Sequence, residues 1–297
     1  MSWLQFSIQT DKHQAETVEQ ALESAGALSI TTSDAADQPL LEPGPGETPL
    51  WDQLVITGLF AADTLPEMVL EKVAKIAGTE LAQQIQIETL ADQEWTRSWM
   101  EHFEPMPFGK RLWVCPQGFE PPDPDAVNMR LDPGLAFGTG THPTTSLCLQ
   151  WLDGQHLQGY KVLDYGCGSG ILAIAAVLLG AESALAVDND EQALIATRDN
   201  ASKNKVEHQI NTYFPDEIDE AVRVDLCVAN ILAGPIMSLA SRLAHHVNSG
   251  GSIILSGILE EQAEEVRLCY QAWFNMGTTI SQEGWVLLQG VRNEQPA

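Results

Sequence analysis

Residues 160–170 read Tyr-Lys-Val-Leu-Asp-Tyr-Gly-Cys-Gly-Ser-Gly, and an apolar run from Ile171 to Gly180 follows at once. The pattern predicts a strand through Val162 and Leu163 that ends at Asp164, a turn carrying Gly166, Gly168 and Gly170, and then a helix. A second short apolar strand, Ala184 to Val187, ends in Asp188, 22 residues past Gly166. Strand, glycine turn, helix, strand and terminal acid form a nucleoside-binding half-site. The glycines let a ligand approach the backbone, and the acid accepts hydrogen bonds from ribose hydroxyls. Outward from this stretch, strands are expected at 161–164, 184–187, 208–213, 224–229 and 252–257, with helices at 144–153, 171–179, 190–204, 234–247 and 260–273. That alternation is the α/β signature. Residues 278–282 and 285–291 lie close enough in sequence to form a terminal antiparallel hairpin.

The dinucleotide fingerprint is G-x-G-x-x-G, whose last glycine packs helix on strand below a pyrophosphate. Here the spacing is G-x-G-x-G, and neither a basic residue nor a serine-threonine cluster is placed to take a phosphate. The turn therefore favours a phosphate-free nucleoside with a zwitterionic tail, and S-adenosylmethionine fits. Asp164 either orients the turn or meets the ammonium of the methionine part. The competing reading, a nicotinamide oxidoreductase, needs the pyrophosphate turn that is missing.

Two further motifs surround the half-site. Residues 131–145 read LDPGLAFGTGTHPTT, a loop poor in charge and rich in small residues that supplies hydroxyls and backbone groups. Phe137 is its central large apolar residue and a candidate lid contact. Pro143, Thr144 and Thr145 read as a helix entrance. Residues 224–233 read VDLCVANILA, an apolar strand ending in Asn230 at the edge where open α/β sheets bind ligands. Asn230 presents a carbonyl acceptor and an amide donor. Methyltransferases acting on nitrogen often carry Asn-Pro-Pro-Tyr or a related sequence here, whereas this chain has Ile-Leu-Ala after the asparagine. With no aromatic following it to stack on a base, an aliphatic amine is left open as substrate. The alternative role for Asn230 is to cap the strand-to-helix turn.

The N-terminal third contains no catalytic signature. Strands are expected at 3–10, 28–32, 54–60 and 84–90, and helices at 13–25 and 65–77, stopped by Gly26 and Gly78. The order βαββαβ is that of a ferredoxin-like α+β domain. Residues 33–50 hold four prolines and two glycines and read as an exposed loop. Residues 91–104 read as a helical linker with Trp95, Trp99 and Phe103 on one face. The expected domains are 1–90 for substrate recognition, a linker at 91–108, and the catalytic domain at 109–297.

The 297 residues carry 41 acids against 15 bases, a formal charge of −26. Such a surface repels nucleic-acid phosphate and attracts a basic protein. Five cysteines form no CxxC pair and read as free, buried thiols, and neither they nor the seven histidines show metal-ligand spacing. No apolar run is long enough to span a bilayer, and the N-terminus lacks a signal-like core. A cytoplasmic monomer is expected, with no membrane or direct nucleic-acid partner and no metal.

Taken together, LDPGLAFGTGTHPTT at 131–145, VLDYGCGSG at 162–170, AVDND at 186–190 and ANILAGP at 229–235 resemble the methyltransferase family of large-subunit ribosomal protein eleven. The resemblance extends over the whole chain, by motif in the catalytic part and by architecture in the N-terminal part. It implies the seven-stranded Rossmann-like sheet of the large methyltransferase superfamily, preceded by the ferredoxin-like domain and the linker. It also implies S-adenosylmethionine as donor, and a lysine-rich ribosomal protein methylated on its α-amine and lysine ε-amines. The N-terminal domain would grip that substrate and the linker would reorient it. Matching positions imply cofactor contacts at Thr145, Gly166, Asp188 and Asn230, to which the residue reading adds Gly168, Asp164 and Phe137. Asn230 is the candidate catalytic residue. The motifs by themselves leave open a methyltransferase acting on another protein or a small amine, and a non-catalytic assembly factor that uses the acidic surface to bind ribosomal protein.

Overall fold

The first strand, β1 (Ser2–Asp11), alternates as its sequence requires, burying Phe6, Ile8 and Thr10 on one face. This computed structural model describes residues 2–36, 50–91, 104–116, 118–131 and 142–294. The chain divides into two compact units, Met1–Trp99 and Met100–Ala297. Most of the expected linker, with Trp95, Trp99 and Phe103, lies outside the described residues, as do most of the 33–50 loop and Phe137.

In the first unit β1 is followed by α1 (Ala15–Ala25), β2 (Ser29–Asp34), β3 (Gln53–Ala61), α2 (Pro66–Ala77), α3 (Thr79–Gln83) and β4 (Gln86–Ala91). The sheet is antiparallel, in the order β2-β3-β1-β4. Helix α1 buries Ala15, Val18, Ala21 and Leu22 and stops at Gly26 in the left-handed conformation. The core closes around Phe6 and Phe60, packed edge to face at 4.8 Å. The short helix α3 is not expected from the sequence. It draws Ala82 into the core and delays the fourth strand from 84 to Gln86.

The second unit opens with a small sheet of β5 (Met106–Phe108), β6 (Leu112–Cys115) and β7 (Val127–Arg130), in that order. Strands of three or four residues are too short to show a period, which is why the sequence hides them. There follow α4 (Pro143–Asp153), β8 (Lys161–Tyr165), α5 (Ile171–Leu178), β9 (Ser183–Val187), α6 (Glu191–Lys203), β10 (Ile210–Tyr213) and β11 (Val224–Asn230). Then come α7 (Ala233–Ser238), α8 (Ala240–His246), β12 (Val247–Leu259), α9 (Ala263–Tyr270), β13 (Phe274–Met276), β14 (Ile280–Gln282) and β15 (Trp285–Arg292).

The main sheet runs β10-β9-β8-β11-β12-β15-β13, with β14 also paired to β15. The first five are mutually parallel, and β15 is antiparallel to β12, β13 and β14. The sheet therefore has eight strands where seven are expected. The additional strand arises because β13 leaves β15 after Met276 and the chain pairs with it again as β14. The expected terminal hairpin is β14–β15, turned by Glu283 and Gly284 at φ 53° and 80°. Two successive positive φ values are the mark of a two-residue hairpin turn whose twist matches its strands.

Two further departures concern one region. The helix expected over 234–247 is two helices parted at Leu239, and Val247 begins β12 five residues before the expected start. The Asn-Ser-Gly-Gly run at 248–251 masks that start. Helices cover both faces of the parallel strands, so that Val162 joins one apolar cluster and Leu163 the other. The five cysteines are free, four of them buried and Cys269 half-buried. Among the described residues no helix is long and apolar enough to cross a membrane.

The small sheet is tied to the end of α4 by one carboxylate. Asp153, 5% exposed, accepts the amides of Lys110 at 2.6 Å, Arg111 at 3.0 Å and Leu112 at 3.0 Å. Asp153→Ala would strand those donors, and the expected loss is roughly 2–4 kcal/mol of stability. Urea denaturation followed by circular dichroism measures it; a change under 0.5 kcal/mol would show that water replaces the carboxylate.

Candidate functional site

The glycine turn begins where β8 ends. The amides of Gly166 and Cys167 both donate to the Val187 carbonyl, at 2.7 and 3.0 Å, which ties the turn to the end of β9. Gly166 has φ 82°, and a Cβ there would overlap Cγ2 of Ile231, so the position admits glycine alone. The Gly168 amide donates to Asp188 Oδ2 at 2.9 Å, while Asp188 Oδ1 accepts from the Asp190 amide at 3.0 Å. Both oxygens of Asp188 are thus oriented by backbone amides and each keeps a lone pair for a ligand.

A cavity of about 700 Å³ opens above this turn, at the C-terminal edge of the parallel strands. Gly166, Gly168, Asp188, Thr145 and Asn230 all line it, so the structure brings these five expected residues to one wall. Asn230, at the end of β11, donates from Nδ2 to Thr145 Oγ1 at 3.2 Å. That bond leaves its carbonyl oxygen and one amide hydrogen for the cavity. Thr145 sits in the first turn of α4, only 2% exposed.

Asp164 is different. It is fully buried and is not among the cavity-lining residues. Its Oδ2 accepts the Ala173 amide at 3.0 Å in the first turn of α5, and its Oδ1 has no hydrogen-bond partner among the described residues. Its single bond braces the first turn of the helix that follows the glycine turn. Burial raises its pKa to about 7, against the lowering effect of the Ala173 amide, with the Asp188 charge adding to the rise. Phe137 lies outside the described residues.

Several contributors were not legible in the sequence. Thr197 Oγ1 donates to the Gly168 carbonyl at 3.1 Å, and Asn200 Nδ2 to the Ser169 carbonyl at 3.0 Å. Both are buried residues of α6, one turn apart, and they hold the outer side of the glycine turn. His142 and Trp285 also line the cavity, their rings 4.9 Å apart and edge to face. His142 caps α4, accepting the Thr144 amide through Nδ1. A polar residue before Pro143 is a readable cap signal, whereas nothing local marks Trp285 as part of the site. Among the described residues the lining contains neither lysine nor arginine.

A family profile described as ribosomal protein L11 methyltransferase (PrmA) matches residues 2–293. The ribosomal protein L11 methyltransferase of Pseudomonas aeruginosa (strain LESB58) is 54% identical over 293 residues, spanning 98% of this chain and 99% of its own. The protein of the same name from Hahella chejuensis is 52% identical over 292 residues, with the same coverage of 98% and 99%. Among solved structures, the crystal structure of ribosomal protein L11 methylase from Lactobacillus delbrueckii subsp. bulgaricus is similar, with a TM-score of 0.59 and 32% identity. It covers 65% of this chain and 100% of that one.

The Asp164 carboxyl gives a test of the turn. Its folded pKa lies above its ordinary 3.8, so the folded chain holds this proton where the unfolded chain has lost it. The ionisation penalty is therefore absent below about pH 4 and grows as pH rises towards 7. Asp164→Asn keeps an acceptor for Ala173 and removes the proton. Urea midpoints from pH 4.5 to 7.5 should fall in the wild type relative to the variant; parallel curves would place the pKa near its ordinary value.

Proposed function

The chain belongs to the ribosomal protein L11 methyltransferase family, and on that premise we propose that it transfers methyl groups from S-adenosylmethionine to the α-amine and lysine ε-amines of ribosomal protein L11. The observation that carries the reading is the cavity wall. It runs from a ribose-binding acid, Asp188, across a glycine turn to an amide side chain, Asn230, with no lysine or arginine to take a phosphate. Its volume suits a small-molecule ligand. These features fit a nucleoside with a zwitterionic tail and count against a dinucleotide.

In this reading the main sheet is the seven-position sheet of the methyltransferase superfamily with its last position split between β13 and β14. The first unit is a ferredoxin-like domain that grips the substrate, the segment 91–108 is the linker that reorients it, and the enzyme works as a monomer without nucleic acid. The charge of −26 supports a basic protein partner.

The donor, when bound, supplies a methyl group on a sulfonium, already an activated leaving group. What remains for the chain is positioning and exclusion of water. Asp188 fixes the ribose. Thr145 holds the Asn230 amide so that its carbonyl oxygen can accept a hydrogen from the acceptor amine and aim the nitrogen lone pair. Ile231, Leu232, Pro235 and Leu239 desolvate that end of the cavity, which favours the neutral amine over the ammonium.

Asp188→Ala should weaken S-adenosylhomocysteine binding roughly 10- to 100-fold by calorimetry, and unchanged affinity rejects the ribose role. Asn230→Ala should lower kcat about 100-fold while that affinity stays within about threefold; equal losses would reassign Asn230 to the nucleoside. The deciding experiment is incubation with labelled donor and purified L11, followed by peptide mass spectrometry. Label on the N-terminal and lysine amines is expected, and label on other atoms, or none, overturns the assignment.

A further inference from the structure

The cavity is lined from five neighbouring strands of the sheet. Its lining residues succeed one another along the strand order: Asp188 after β9, Gly166 after β8, Asn230 at the end of β11, Gly257 in β12, and Trp285 at the start of β15. Four strand spacings separate Asp188 from Trp285, about 19 Å. The ribose end is fixed by Asp188 and the methyl end by Asn230, so Trp285 stands on the acceptor's side of the transferred group. The strand register agrees. Asn230 is level with Ser256 of β12, while Trp285 is paired with Leu259, three residues further out.

Trp285 is held firmly. It pairs with Leu259 on one side and Gln282 on the other, and it follows directly on the Glu283–Gly284 turn, whose Gly284 carbonyl accepts the Glu260 amide at 3.0 Å. Its ring is braced by His142 at 4.9 Å and 69°. Among the described lining residues the only acid is Asp188, at the far end, and the acceptor end presents aromatic and apolar groups beside Asn230 and Thr145. A carboxylate binds a primary ammonium best. An aromatic face attracts any ammonium, and does so with less loss of hydration once methyl groups have replaced N–H bonds.

We propose that Trp285, braced by His142, is the residue that retains the partly methylated acceptor and so sets how many methyl groups one nitrogen receives. The inference rests on the methyltransferase reading above. Each round releases one proton from the ammonium to water and forms one N–C bond from the nitrogen lone pair. The electrons of the broken S–C bond remain on sulfur. Between rounds the nitrogen carries one more methyl group and a positive charge, the species an indole face holds.

The test uses the full-length protein with L11 and S-adenosylmethionine, comparing wild type, Trp285→Phe and Trp285→Leu by intact-mass and peptide spectrometry. The Leu variant should lower the ratio of di- and trimethylated to monomethylated product roughly three- to thirtyfold. Its affinity for S-adenosylhomocysteine should stay within about twofold, and the Phe variant should restore most of the wild-type ratio. An unchanged product ratio in the Leu variant overturns the proposal. So does a Phe variant as impaired as Leu, which assigns the role to bulk, or a parallel loss of nucleoside affinity, which assigns Trp285 to the donor. Wild-type protein that leaves L11 unmethylated sinks the methyltransferase reading itself, and the two failures are thereby distinguished.

Discussion

One carbonyl oxygen organises the site. Val187 O, at the end of β9, receives the amides of Gly166 and Cys167 and so fastens the turn after β8 to the neighbouring strand. The next residue, Asp188, is thereby placed within 2.9 Å of the Gly168 amide. The turn cannot relax from this arrangement, because Gly166 sits at φ 82° against Ile231 and because Thr197 and Asn200 hold the carbonyls of Gly168 and Ser169. Ile231 follows Asn230, so the same contact brings the end of β11 up against the glycine turn. Three adjacent strands thus share one rim, and a ligand laid along it meets the acid, the glycines and the asparagine in order.

The parallel half of the fold was legible because its strands are buried on both faces and read as apolar runs, and because its glycines and terminal acids fall where the backbone needs them. Gly166, Gly168, Asp188 and Asn230 were readable on those grounds and Thr145 through the family resemblance, and all five line the cavity. The residues that were missed belong to other categories. Thr197 and Asn200 lie on the buried side of a helix whose sequence looks merely polar, and their role depends on a turn 29 and 31 residues away. Trp285 arrives from the antiparallel end of the sheet, more than fifty residues after Asn230. Only the strand order β11-β12-β15 makes them neighbours. Asp164 shows the converse limit. Its position in the motif left open whether it orients the turn or meets a ligand; in the structure it lies fully buried and carries the first turn of α5. Sequence spacing gives the strand and the edge, while the side of the strand a charge faces depends on what packs there.

The surface and the site make opposite demands on the acceptor. In the proposed reaction a lysine arrives at neutral pH as an ammonium, with a reference pKa near 10.4, and an acidic surface would concentrate that form. Transfer needs the free lone pair. If a carboxylate stood beside Asn230, it would bind the incoming ammonium tightly and hold its proton in place. The apolar wall of Ile231, Leu232, Pro235 and Leu239 does the reverse, since removing water from a lone cation favours its neutral form. An indole face between these extremes attracts a cation by only about 0.5–2 kcal/mol. That is enough to delay escape of a methylated product and too little to prevent loss of a proton before the next transfer. In the proposed reading, recruitment by acids outside and retention by an aromatic inside are therefore complementary. The first acts at long range on the whole basic partner, and the second on one nitrogen once its hydration has been stripped away.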